Sequence, residues 1–220
     1  MRRVSSFIIS FWLIIPITTG QGVSTSVPKK IKKSEKYLFY LHGAIVQEQG
    51  INAVSKDFGP YKYLDILDTL SNHGFNVISE PRPKDTDEMQ YADKLSKQID
   101  TLLRAGVVPE NIIVVGASSG AYITIDAAIR LKNRKINYVV MGMCWPDTYK
   151  AYSGKDLCGN FLSIYESSDP HGSCMKLFED IHCKTGVKEI KLNMNISHGF
   201  LYQPYKEWVQ PIVEWAKAIK

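Results

Sequence analysis

Residues 112–123 read Ile112-Ile113-Val114-Val115-Gly116-Ala117-Ser118-Ser119-Gly120-Ala121-Tyr122-Ile123. Four consecutive β-branched residues are the pattern of a strand buried on both faces. Small and apolar residues at helical spacing then follow Gly120 with no intervening loop. Gly116-Ala117-Ser118-Ser119-Gly120 is therefore a G-x-S-x-G sequence in a strand–turn–helix setting, which presents Ser118 as a candidate nucleophile at the end of a strand. A turn that tight leaves no room for Cβ atoms beside the serine, which accounts for its glycines. The pentapeptide alone also arises by chance wherever a strand enters a helix, so the rest of the chain has to decide.

Outward from this stretch, apolar strands alternate with amphipathic helices. Strands are expected at Lys36–Leu41, Phe75–Ser79, Asn111–Val115, Asn137–Met143, Phe161–Tyr165 and Val187–Leu192. Helices are expected at Tyr61–Leu70, Thr86–Ala105, Ser119–Arg130, 173–183 and at the C-terminus. In Thr86–Ala105, Tyr91, Leu95, Ile99 and Leu102 recur on one face, with Asp85 as N-cap and Gly106 as stop. In the last helix Trp208, Ile212, Trp215 and Ile219 share a face, and Pro211 is expected in the first turn. The aperiodic stretches Ile45–Gly59 and Cys144–Asn160 read as a long loop and a small lid. Near-continuous apolar strands indicate a mostly parallel sheet of about six strands between two helical layers, an α/β three-layer sandwich.

In such a sheet the loops at the strand C-terminal ends share one rim. The side chains found there are His42, Ser118, Cys144, Asp169 and His198. A serine nucleophile needs a base, a group that orients the base, and donors for an oxyanion. His198, after the last strand and beside Gly199, is the candidate base. Asp169 lies 51 residues after Ser118 and 29 before His198, where a carboxylate could hold the imidazole. Glu166 competes for that role, and Asp169 could instead cap the following helix. His73 and His182 read as helix-end residues, and His171 at most as a pocket-lining one.

The order Ser…Asp…His, with LHGA at 41–44, VVGASSGA at 114–121, LSIYESSDP at 162–170 and SHGFLYQPYKEW at 197–208, resembles a small serine-type α/β-hydrolase of a group of exported bacterial proteins of undefined substrate. The resemblance covers residues 36–220 and implies an α/β-hydrolase fold without a large cap. It further implies a Ser118–Asp169–His198 triad, with an oxyanion hole from the backbone N–H groups of Ala44 (or Gly43) and Ser119. The activity it implies is carboxylic-ester hydrolysis (EC 3.1.1) through an acyl-enzyme on a small-molecule ester. An amidase or peptidase using the same residues, or a catalytically silent binding protein, are the alternatives. The chain departs from the pattern at Glu166, where the acid turn usually has glycine, and before Tyr37, where no opening antiparallel hairpin is legible.

Other features bound the class. Met1-Arg2-Arg3, the apolar run Phe7–Ile17 and Thr18-Thr19-Gly20 have the layout of a secretory signal peptide, so residues 1–20 are expected to be removed and the protein exported to periplasm or medium. The run is shorter than the roughly 20 residues a membrane span requires, so no stable membrane insertion is expected after cleavage, with an uncleaved anchor the alternative. Loss of Arg2 and Arg3 would lower the formal net charge of +5 by two. Residues 21–35 are a basic polar lead-in whose lysines carry no interleaved aromatics, so nucleic acid is not an expected partner. No G-x-G-x-x-G, P-loop or H-x-x-x-H pattern occurs, and neither cofactor nor metal is expected. Cys144, Cys158, Cys174 and Cys183 suggest at least one disulfide, with Cys158–Cys174 the pairing favoured. The sequence carries no sign of oligomeric state.

Overall fold

The computed structural model describes residues 22–179, 181 and 183–218. The signal-like residues 1–20, His182 and Ile219 lie outside the described residues. In chain order the elements are β1 (Val23–Ser24), β2 (Lys36–Leu41), α1 (Ala44–Gln49), β3 (Val54–Ser55), β4 (Gly59–Pro60), α2 (Tyr63–Asn72), β5 (Phe75–Ile78) and α3 (Glu88–Arg104). They continue with β6 (Ile112–Ala117), α4 (Ser119–Leu131), β7 (Asn137–Met141), α5 (Pro146–Tyr152), β8 (Cys158–Glu166), α6 (Met175–Glu179), β9 (Cys183–Leu192) and α7 (Lys206–Ala218).

Seven strands form one parallel sheet in the order β1-β5-β2-β6-β7-β8-β9, and β3 and β4 make a separate two-stranded antiparallel pair. Successive strand residues point to opposite faces, and the sequence supplies large apolar groups for both. Leu38, Tyr40, Ile113, Val115, Val139 and Leu162 pack in one cluster with Ile66 and Leu70 of α2 and Trp208 and Ile212 of α7. Tyr37, Phe39, Ile112, Val114, Tyr138 and Phe161 pack in the other with Leu95 and Ile99 of α3, Ala128 of α4 and Phe178 of α6. Each such side chain, fully buried, stabilises the fold by about 1.5–3 kcal/mol. Among the described residues no large cap interrupts the sheet. The chain leaves β2 toward β5 on one side and returns through β6 on the other, so the turns after β2 and β6 meet at a topological switch point.

The sheet of about six strands is borne out with seven, the additional one being Val23–Ser24 in the basic lead-in, which pairs with Val77–Ile78 at the edge. Several other expectations are corrected. The N-cap of α3 is Asp87, whose side chain accepts from Gln90 N, whereas Asp85 has φ 64° outside the helix. Among the described residues of the stretch 173–183 only the short α6 is helical, and Cys183 already begins β9. Pro211 lies inside α7 rather than in its first turn. The Ile45–Gly59 loop contains α1 and the β3–β4 pair, and Cys144–Asn160 contains α5. These elements are too short to show a period in sequence. The disulfides are Cys144–Cys174 and Cys158–Cys183, not Cys158–Cys174. Cys158 and Cys183 are register partners on adjacent β8 and β9, which dictates that pairing.

Candidate active site

Ser118 sits between β6 and α4 with φ 52° and ψ −120°. A non-glycine residue in such a conformation costs about 1–3 kcal/mol and persists only where its surroundings impose it. Here Ser118 N donates to Met141 O at 2.8 Å, and Ser118 O accepts from Ala121 N at 2.8 Å. The flanking glycines are required by close approach. A Cβ on Gly120 would lie 2.1 Å from Leu41 O, and one on Gly116 would lie 2.4 Å from Thr124 Oγ1 and 2.5 Å from the Ala121 Cα. Helix α4 thus starts hard against the end of β2, which brings Ser118 beside the His42-Gly43-Ala44 turn.

His198 stands on a 3-10 turn, Ser197–Leu201, after β9. Its Nε2 is 3.0 Å from Ser118 Oγ and its Nδ1 is 2.6 Å from Asp169 Oδ2. Burial would raise the Asp169 carboxyl, but hydrogen bonds from His171 and His198 and the interaction with His198 outweigh it and hold the group well below the usual carboxylate range. An ionised carboxylate only accepts, so Nδ1 carries the imidazole hydrogen and the Nε2 lone pair faces Ser118 Oγ.

Glu166 is fully buried and serves a different purpose. Its carboxylate accepts from Ser168 N at 2.7 Å, from Ser168 Oγ, and from Met194 N and Asn195 N at 3.0 Å each. Burial opposes ionisation, but these donors lower its pKa. Glu166 therefore ties the Asp169 turn to the loop that carries His198 and does not touch the imidazole. Asp169 caps no helix.

His171, given at most a pocket-lining place by the sequence, donates its backbone N–H to Asp169 Oδ1 at 3.0 Å and brings Nδ1 to 2.9 Å from the same oxygen. Its ring centroid lies 4.6 Å from that of His198 and 3.9 Å from Trp145. The Asp-x-His spacing is an Asx-turn signal that could have revealed the contact. Trp145 also borders an open surface pocket of about 520 Å³ lined by Tyr122, Pro146, Asp147, Thr148 and Ala151. The Cys144–Cys174 disulfide joins the segment bearing Trp145 to the segment that follows His171.

The turn after β2 is held by two residues whose roles were not legible in sequence. His42 Nε2 accepts from Arg82 N at 2.8 Å, so Nδ1 carries the hydrogen and donates to Gly43 O at 2.8 Å. Burial, reinforced by the Arg82 charge, pushes His42 down to about 3 and keeps the ring neutral. Arg82 Nη2 donates to His42 O at 2.6 Å and to Ser119 Oγ at 3.2 Å, and Nε donates to Gln47 Oε1 at 3.0 Å. Peptide groups are planar, with N–H opposite C=O. Fixing the carbonyls of His42 and Gly43 therefore also fixes the N–H directions of Gly43 and Ala44. Ala44 opens α1 and Ser119 opens α4, so both N–H groups belong to helix first turns, which have no intrahelical acceptor. Arg82 is 2% exposed and its Nη1 has no partner among the described residues. In sequence it stood only as the residue between Pro81 and Pro83.

No family model matches the sequence, and no curated protein is similar to it in sequence. Solved structures do resemble it. SOBER1 from Arabidopsis thaliana aligns with a TM-score of 0.57 at 11% identity, over 84% of this chain and 99% of that one. A lidless α/β serine hydrolase from Xanthomonas campestris aligns with a TM-score of 0.54 at 12% identity, over 88% and 86%. A lipase-esterase related protein from Clostridium acetobutylicum aligns with a TM-score of 0.51 at 11% identity, over 86% and 97%. The fold is that of the α/β hydrolases.

Proposed function

We propose that the protein is a serine hydrolase that cleaves small carboxylic esters through an acyl-enzyme on Ser118. The observation that carries this reading is the continuous chain from Ser118 Oγ to His198 Nε2 at 3.0 Å and from His198 Nδ1 to Asp169 Oδ2 at 2.6 Å, on a strained turn. In this reading Ser118 Oγ attacks the ester carbonyl as its proton passes to His198 Nε2. Asp169 stabilises the imidazolium that forms. The carbonyl oxygen becomes an oxyanion that accepts from the N–H groups of Ala44 and Ser119. His198 then gives the proton to the departing alkoxide, and water repeats the sequence to release the acid. Export of the chain, as residues 1–20 suggest, agrees with two disulfides, which persist in oxidising compartments.

The test is Ser118→Ala, measured on p-nitrophenyl acetate and by labelling with a fluorophosphonate. Removing such a serine costs on the order of 10⁶-fold in kcat. Turnover and label should both vanish while the thermal midpoint stays. Activity retained by a folded Ser118→Ala protein overturns the assignment, and absence of label on the wild-type chain favours a binding protein on the same fold.

A further inference from the structure

We propose that Asp169, His171 and His198 form a binding site for a divalent transition metal such as Zn²⁺, and that occupancy of this site switches the hydrolase off. One ligand atom from each of the three residues lies within 4.8 Å of the others. Asp169 Oδ2 is 2.6 Å from His198 Nδ1, and Oδ1 is 2.9 Å from His171 Nδ1. A zinc ion sits about 2.0–2.2 Å from imidazole nitrogen and carboxylate oxygen, which spaces tetrahedral ligands by about 3.3 Å. The carboxylate–imidazole pairs must open by about 0.7 Å at His198 and about 0.4 Å at His171, and the two rings must draw closer. Both histidine side chains are 19% exposed, which leaves a way in, while the Asp169 carboxylate is fully buried behind them. The Asp169 N–H···O turn and the His171 backbone bond to Oδ1 keep the carboxylate aimed between the rings as the ion replaces the side-chain hydrogen bonds.

A nucleophilic serine with one histidine on one carboxylate offers no such site. The second imidazole on the free oxygen of Asp169 is what completes it. Two imidazoles and one carboxylate suit zinc, copper or nickel and not magnesium or calcium, which prefer all-oxygen shells. The consequence for turnover rests on the hydrolase reading above, whereas the binding does not. Each imidazole keeps one hydrogen when the metal takes Nδ1, and that hydrogen moves to Nε2. His198 Nε2 then becomes a donor toward Ser118 Oγ and can no longer accept its proton.

The test uses untagged full-length protein freed of metal with EDTA, in a non-chelating buffer. Zinc binding is read by calorimetry, and p-nitrophenyl acetate turnover is read as the ratio with and without zinc. One equivalent of Zn²⁺ should bind, turnover should fall with occupancy and return with EDTA, and Mg²⁺ and Ca²⁺ should do neither. His171→Gln, checked for an unchanged thermal midpoint, should raise the zinc concentration for half-occupancy and half-inhibition by at least about 10-fold. Turnover unaffected at full occupancy, or a midpoint unchanged by His171→Gln, overturns the proposal. One equivalent bound in a His171-dependent way by a protein without esterase activity upholds the site and overturns the hydrolase reading instead.

Discussion

Replacing Arg82 by Met tests whether the turn proposed to bind the oxyanion is held in place from behind. The substitution keeps a long apolar stem and removes the donors to His42 O, Ser119 Oγ and Gln47 Oε1. The bond to His42 O is charge-assisted and buried, and such bonds contribute about 1.5–3 kcal/mol. If that free energy keeps the 42–43 and 43–44 peptides in the productive orientation, its loss lowers kcat by about 10–150-fold, at about 1.4 kcal/mol per tenfold. Outright removal of an oxyanion donor costs about 10²–10³-fold, which bounds the effect from above, since Ala44 N–H is misdirected rather than deleted. On the proposed reading KM for p-nitrophenyl acetate should change little, because there the turn would meet the oxyanion and not the ground-state ester. Stability should also change little, because the Met relieves a buried cation whose Nη1 is unpartnered. Initial rates across substrate concentration, with a melting curve for the same preparation, supply both numbers. A folded Arg82→Met protein with kcat within about twofold of wild type would refute the reasoning, as would a loss carried wholly by KM.

Two further outcomes follow from the same geometry. His42 titrates near 3 when folded and near 6.5 when unfolded, so the unfolded chain binds the extra proton. Stability therefore falls as pH drops through that window, by about 1.4 kcal/mol per unit, or about 2.7 kcal/mol at pH 4.5. Urea unfolding from pH 7 to 4.5 should show this slope in the wild type and lack it in His42→Leu, and parallel slopes would contradict the buried neutral ring. Gly120→Ala places a methyl group 2.1 Å from a backbone oxygen that cannot yield cheaply. A cost of about 3 kcal/mol or more should lower the Tm by at least about 6 °C, and an unchanged melting curve would show that α4 does not press on β2 as described.

The central strands could be read because β2, β6, β7 and β8 are buried on both faces and leave an uninterrupted apolar run. Edge strand β9 mixes lysines with isolated apolar residues along Lys184–Lys191, so only its second half, Val187–Leu192, reads as a strand in the sequence. Ser118, Asp169 and His198 stood out because strand ends and chain order are sequence properties. The choice between Asp169 and Glu166 was not one, since both are acidic and lie within one turn. What separates them is that Glu166 faces the N–H groups of Met194 and Asn195, while Asp169 faces two imidazoles. Arg82 and His171 act through contacts with backbone and side chains distant in sequence or hidden in a turn, and no periodicity marks such contacts.

Glu166 gives Asp169 and His198 a common mount. Because one carboxylate grips Ser168 on one loop and Met194 and Asn195 on the other, Asp169 and His198 travel together when the rim of the sheet moves. Ser118 is held separately, by β6 and α4, so the distance from His198 to Ser118 is set by a different part of the scaffold than the distance from His198 to Asp169. Whatever shifts the one need not shift the other, so the imidazole can keep its orientation independently of the serine.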